Sequence, residues 1–271
     1  MTEHVTGLTQ FVNHYLGQFA LALLTALHIK PENPELPIPD HVVMAFVVLI
    51  IGTLFALMLR SRLSVEKPGT SQQVAELLLT NPLGFGIKDL LEENVHHGAA
   101  QMIPFVGSIS IFVLLSNLLS VIPVFAAPTA TVTVPLACAI LTFVYFNWQG
   151  IKRQGVGGYL KHFAGPVAWL SPLIFPVEII STSARILSLT VRLWANMVAS
   201  ELLYTIFLSL FTSATIATWS KSPVFGVVIA VLPATIPLAF IGLHIFVAII
   251  QSYIFTVLPS VYLGMATAEE H

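Results

Sequence analysis

Five apolar runs, separated by short polar segments, set the outline of this 271-residue chain. Val42 to Leu59 is 18 residues without a charge, enough for one membrane span. Ile103 to Ile122 is a second run, closed by Pro123, and Thr131 to Trp148 a third, with Tyr145 and Trp148 suited to the headgroup level. Only Pro123 to Ala130 separates these two, so they predict an antiparallel hairpin over 103–148. Trp169 to Phe211 and Val224 to Leu263 are far longer than the roughly 20 residues a bilayer needs. At about 1.5 Å per residue each would reach ~60 Å as a helix, so each is either broken or steeply tilted. Pro176, Pro233, Pro237 and Pro259 are the candidate bend points, and Thr212 to Pro223, with Ser213, Ser220, Lys221 and Ser222, reads as the turn between the two stretches. The pattern predicts an all-α integral membrane protein of about five to six helices, its segment 169–271 forming a hairpin of two very long, tilted helices.

The polar remainder sets an orientation. Glu32, Glu35 and Asp40 precede the first span with only Lys30 against them, whereas Arg60, Arg62 and Lys67 follow it. The positive-inside rule then places segment 1–41 outside and segment 60–102 in the cytoplasm. Lys152, Arg153 and Lys161 put segment 149–168 on that same side, and the polar tail after Leu263 joins it. The stretch LTQFVNHYLGQFALALLTAL fits an amphipathic interfacial segment in which His14 is a solvated or packing side chain. Between Ser71 and His97 two short apolar stripes recur at helical spacing, Val74–Leu77–Leu78 and Leu83–Ile87–Leu91. Pro82, Gly84 and Gly86 predict a break between them, hence an interfacial helix pair that either merely docks or meets a partner.

Composition agrees. The chain is 56 % hydrophobic and only 9 % charged, with a mean hydropathy of +0.88, against about 25 % charged in a typical soluble domain. A net charge of −2 supplies no basic field for nucleic acid. Cys138, the single cysteine, has no internal disulfide partner and reads as a small core residue. The first 40 residues lack a positive n-region and a clean apolar core, so no cleavable secretory signal is expected.

Glu178 to Glu201 changes the picture, because four ionisable residues sit on an otherwise apolar helix: Glu178, Arg185, Arg192 and Glu201. A charge near the bilayer centre costs at least about 2.5–3.5 kcal/mol, so each needs a partner, water or a task. Glu178, Arg185 and Arg192 are spaced seven apart and drift only ~20° per step, so they share one stripe, with Asn196 close to it. Glu201 lies nine residues past Arg192, about half a turn away in azimuth. In the last long stretch His244 and Gln251 share a face, with Ser252 adjacent and Tyr262 further along. Histidine titrates near neutral pH and can pass protons. An antiparallel hairpin brings Glu201 towards His244 and Arg192 towards Gln251, although a turn centred on Ala217 requires stagger for that match. Plainer readings stand beside these: a structural Glu178–Arg185 pair, a packed His244, and a Glu201 solvated at a membrane edge. Arg192 resists a plain reading. Its neighbours at helical spacing are Ser188, Leu189, Ala195 and Asn196, so no local carboxylate neutralises it and one from elsewhere is implied.

The segment SLTVRLWANMVASEL, Ser188 to Leu202, together with HIFVAIIQSYIFTVLPSVYLGMATAEEH at the C-terminus, resembles subunit a of the F-type ATP synthase. The resemblance extends over most of the chain and includes the SNLLSVIP corner, Ser116 to Pro123. It implies that Arg192 is the arginine facing the carboxylate of the rotor c-ring, against which the long hairpin packs. Glu201 and His244 then belong to a half-channel from the outer side, Asn196 and Gln251 are polar neighbours of the arginine, and Glu178 lies towards a cytoplasmic half-channel. Arg185 falls on a position that is basic in relatives. Ser120 departs from the pattern, since some bacterial relatives carry aspartate there, and no charge role transfers to it. The resemblance further implies a c-ring, a peripheral-stalk subunit b and the lipid of a bacterial inner membrane as partners; the sequence does not settle proton against sodium coupling, and protons are the expectation because no sodium cage is evident. No cofactor, metal or nucleic acid is implied. The chain shows no GxxxxGK[ST] phosphate loop, so ATP chemistry falls to partner subunits. The rival reading is a secondary ion-coupled transporter, which predicts internal repeats that the chain does not show. A purely structural scaffold is disfavoured by four ionisable residues on one apolar helix.

Overall fold

A computed structural model describes residues 6–31, 33–65, 67–81, 85–95, 98–122, 125–164, 170–219 and 223–267, with side-chain environments given except at 160–164 and 223–238. The described residues form α1 (Gly7–Ala26), α2 (Asp40–Ser61), α3 (Thr70–Leu79), α4 (Ile87–Asn94), α5 (Ala99–Leu119), a 3-10 turn (Pro128–Ala130), α6 (Thr133–Ala164), α7 (Ser171–Trp219) and α8 (Pro223–Thr267), and no strand. Five segments are long and apolar enough to cross a membrane: α2, α5, the Thr133–Tyr159 part of α6, α7, and Ala239–Thr267 of α8. The protein is an all-α, multi-pass membrane protein.

α5 and α8 form the centre. Leu91, Val106, Phe146 and Leu263 join α4, α5, α6 and α8 in one core cluster. Val113, Cys138, Leu193, Met197 and Phe255 join α5, α6, α7 and α8 in a second. α2 leans on this centre through Met44 and Val48 against Leu119, while Leu49, Ile50, Leu54 and Phe55 remain exposed. Exposed apolar side chains are the expected surface for a helix solvated by lipid tails, which are as apolar as leucine.

α7 and α8 run for 49 and 45 residues, or ~73 and ~67 Å at 1.5 Å per residue. Both are continuous, and Pro176 lies inside α7 without ending it. The excess over a hydrocarbon layer of roughly 30 Å must therefore be absorbed by inclination or protrusion. The expected turn is also displaced. α7 stays helical through 212–219, leaving only 220–222, outside the described residues, before α8. Ser213 falls inside the helix, while Ser220, Lys221 and Ser222 lie outside the described residues; Thr215 donates to Phe211 O and Thr218 to Ala214 O, each at 2.8 Å.

Two shorter segments also differ from expectation. α3 leaves Val74, Leu77 and Leu78 exposed, but α4 buries Ile87, Leu90 and Leu91 beneath α5 and α8. An eight-residue amphipathic pattern cannot distinguish a lipid surface from a protein groove. The break between α3 and α4 is tied by Asp89, whose carboxylate accepts the Asn81 N–H at 2.9 Å. A Cβ on Gly86 would lie 2.6 Å from Leu79 O, so only glycine fits there; Pro82 and Gly84 lie outside the described residues. The basic segment after Trp148 is helical as far as Ala164 but kinked at Gly155, whose φ of 72° and ψ of 164° break the helix. Gln154 donates to Ala266 O at 3.2 Å and ties it to the end of α8.

α1 is held by a polar clasp. Thr6 and Thr9 hydroxyls donate to Asp40 Oδ1 at 2.7 and 2.6 Å, and Asn13 exchanges two 2.9 Å hydrogen bonds with the Ile38 backbone. Its opposite face exposes Phe11, Tyr15, Phe19 and Leu23.

The closest packing is at α8's end, where a Cβ on Gly264 would collide with the Asn94 carbonyl at the end of α4. Gly264→Ala is expected to push α4 off α8 and destabilise the bundle by about 1–3 kcal/mol, read as a lower midpoint of thermal unfolding in detergent.

Candidate functional site

Polar side chains are strung along the α7–α8 pair at three levels. At the level of α5's C-terminus, Glu201 and Tyr204 of α7, Phe240 and His244 of α8, and Ser120 line a largely apolar cavity of about 100 Å³. His244 Nε2 lies 2.7 Å from Ser120 Oγ and 3.2 Å from Asn117 O. The Ser120 hydroxyl itself donates to Asn117 O at 2.8 Å, and Thr129 from the 3-10 turn donates to Asn117 Oδ1 at 2.7 Å. Glu201 and His244 thus meet at one cavity, without the stagger that a turn at Ala217 required.

One level further along, Asn196 Nδ2 donates to Gln251 Oε1 at 2.9 Å. The Gln251 side chain is 1 % exposed and its Nε2 has no partner. The expected neighbour of Gln251 was Arg192; the structure pairs it with Asn196 instead. The Asn196–Gln251 and Phe207–Phe240 contacts are both centred between residues 223 and 224, because α7 runs on past the expected turn. The partner of Gln251 is thus one helical turn further along α7 than Arg192, which is left without it. Arg192 is exposed, its helix anchored beneath by buried Leu189, Leu193 and Met197. Among the described residues it makes no ion pair, hydrogen bond or ring contact.

At the third level, near the ends of α6 and α8, Arg185 Nη2 lies 3.7 Å from Glu178 Oε1, and its guanidinium sits over the Tyr262 ring 5.0 Å from the centroid. Both contacts oppose the cost of an arginine at depth. A cavity of about 30 Å³ opens here between Tyr159, Glu178, Thr182, Arg185 and Ala266. Thr182 Oγ1 is buried beside it without a hydrogen-bond partner.

The seven residues singled out from sequence therefore fall into a Glu178–Arg185 pair, a lone Arg192, an Asn196–Gln251 pair and a Glu201–His244 cavity. Sequence reading missed Asn117, Thr129, Tyr159 and Thr182. The only signal for Asn117 was an amide inside an apolar run, and its partners lie on other elements. Among the described residues no group of three His, Cys, Asp or Glu side chains is placed to hold a metal.

An all-helical bundle with five membrane-length helices and a broken file of polar groups along its longest hairpin defines a multi-pass membrane protein built to manage charge at depth. Residues 41–264 match the family described as ATP synthase A chain, and the chain belongs to that family. It is similar to ATP synthase subunit a of Koribacter versatilis, 39 % identical over 99 % of both chains. It is also similar to that of Solibacter usitatus, 40 % identical over 96 % of this chain and 99 % of the relative. Subunit a of Nitratidesulfovibrio vulgaris is 36 % identical over 85 % of this chain and 87 % of its own.

Removing Asn196 from its pair with buried Gln251 should cost more than removing both amides. Asn196→Leu is expected to lower stability by about 1–3 kcal/mol by stranding the Gln251 carboxamide. Asn196→Leu combined with Gln251→Leu should recover part of that loss in a double-mutant cycle of thermal unfolding.

Proposed function

We propose that this chain is the proton-conducting stator subunit of an F-type ATP synthase, loading and unloading the carboxylates of a rotor c-ring so that proton flow drives rotation. The observation that carries this reading is Arg192: an exposed, permanently charged side chain on an apolar helix face, with no partner among the described residues of its own chain. A mobile carboxylate on a second subunit completes it. Next to Arg192 the carboxylate is favoured in its ionised form, so it gives up its proton there and cannot carry one straight past.

The flanking levels serve as the two approaches. Glu201 and His244, at their shared cavity, pass protons between one aqueous face and the ring, with the Asn196–Gln251 amides between that cavity and Arg192. The Glu178–Arg185 cavity serves the other face. Between them lie Leu189, Leu193, Met197 and Phe255, a dry barrier with no proton carrier. A protonated, neutral ring carboxylate can enter lipid and travel round to the other approach, where it is deprotonated. Each proton supplies ~2.3 kcal/mol per 100 mV, so several are summed per ATP. ATP chemistry resides on partner subunits, and a peripheral-stalk subunit b holds the stator still.

The orientation follows the basic residues. Met44 and Val48 pack at α5's C-terminus, which sends Arg60 and Arg62 to α5's other end, and Gln154 binds α8's end beside exposed Lys152 and Arg153. That face is assigned to the cytoplasm of a bacterium, with the C-terminus on it and α1 at the outer side of the inner membrane.

ATP-driven acidification of vesicles holding the assembled complex tests the reading. Arg192→Ala is expected to assemble and to lose pumping. Unchanged pumping by the assembled variant would overturn the role and favour a solitary transporter.

A further inference from the structure

We infer that Ser120, with the Asn117 carbonyl, fixes the tautomer of His244, so that Nδ1 is the ring nitrogen that exchanges protons. The inference rests on the reading of His244 as part of the proton path and adds which atom works and what holds it.

The argument is one of lone pairs. Asn117 O, 3.2 Å from His244 Nε2, can only accept a hydrogen bond. Ser120 Oγ, 2.7 Å from the same nitrogen, has both roles open to it in principle, but its one proton is committed to Asn117 O at 2.8 Å. Both groups facing Nε2 therefore present lone pairs, and Nε2 must carry the hydrogen. Asn117 is held in turn, its side-chain oxygen accepting from buried Thr129 at 2.7 Å, so the carbonyl is not free to turn away. His244 Nδ1 makes no hydrogen bond to any described residue. It is left with a lone pair on a ring that lines the cavity shared with Glu201.

The proton step is then a simple one. Nδ1 takes up a proton, giving an imidazolium protonated on both nitrogens, and returns that same proton to the next acceptor, while the Nε2–H bond stays intact throughout. Among the described residues the other titratable groups sharing the cavity are Glu201 and Tyr204, both from α7; the end of α5 contributes the neutral Ser120 and Val121. Ser120 is thus a positioning residue that acts through the ring. It does so without charge, where an aspartate at the same place would pair with the imidazolium and hold the proton.

The test has a spectroscopic and a functional arm, both on the assembled complex. Nitrogen-15 NMR of histidine-labelled complex, with His244 identified by its loss in His244→Ala, should show the neutral ring protonated at Nε2 and bare at Nδ1. A neutral ring protonated at Nδ1 overturns the inference. In passive proton conduction through the membrane sector, Ser120→Ala should slow conduction by about five-fold, the size of one lost hydrogen bond. Ser120→Thr, which keeps the hydroxyl, should restore most of it. Conduction in Ser120→Ala equal to wild type, with His244→Ala impaired, would overturn the role of Ser120 alone. Unimpaired conduction in His244→Ala would instead overturn the proton-path reading on which the inference stands.

Discussion

Arg192 cannot shed its charge at any physiological pH, and its own chain offers it nothing to pair with among the described residues. At membrane depth that arrangement costs several kcal/mol unless a carboxylate arrives from outside. The rest of the α7–α8 hairpin makes sense as the setting for this incomplete ion pair. Its polar neighbours on the hairpin mostly have partners: Arg185 has Glu178 and Tyr262, Asn196 has Gln251 Oε1, and His244 has Ser120 and Asn117, while buried Gln251 Nε2 has none. The charge of Arg192 is left unpaired among the described residues, on the exposed side of the helix.

On the proposed function, the great length of α7 and α8 follows from the same need. Three polar levels separated by apolar packing must fit on one helix pair, and Glu178 to Glu201 alone spans ~35 Å of axis at 1.5 Å per residue. A helix just long enough for a bilayer could not place two cavities and a dry barrier in series. On the proposed function, the apolar layer of Leu189, Leu193, Met197 and Phe255 is as much part of the device as the charges, because it denies protons a route past Arg192.

Much of this was legible in the chain. Uninterrupted apolar runs mark the spans because the bilayer demands them, and the seven-residue spacing of Glu178, Arg185 and Arg192 marks a shared stripe because helical geometry leaves no other option. What escaped depended on tertiary partners. Thr212 to Pro223 read as a turn on Ser213, Ser220, Lys221 and Ser222, but the helix continues through 219, with the Thr215 and Thr218 hydroxyls bonding its own backbone. The Arg192–Gln251 pairing also missed by one helical turn, since Asn196 is the side chain that meets Gln251. α4 looked interfacial because its short apolar stripe carries no mark of what covers it. Ser120 and His244 meet although they are 124 residues apart, a contact that no local pattern encodes.

The most direct test is proximity across the missing ion pair. Single cysteines at Ala195 and Leu193, one exposed beside Arg192 and the other fully buried behind it, would be paired with a cysteine flanking the ring carboxylate in the assembled complex. The account predicts ready disulfide cross-linking from Ala195→Cys and none from Leu193→Cys. Cross-linking from Leu193→Cys alone, or from neither, would contradict it.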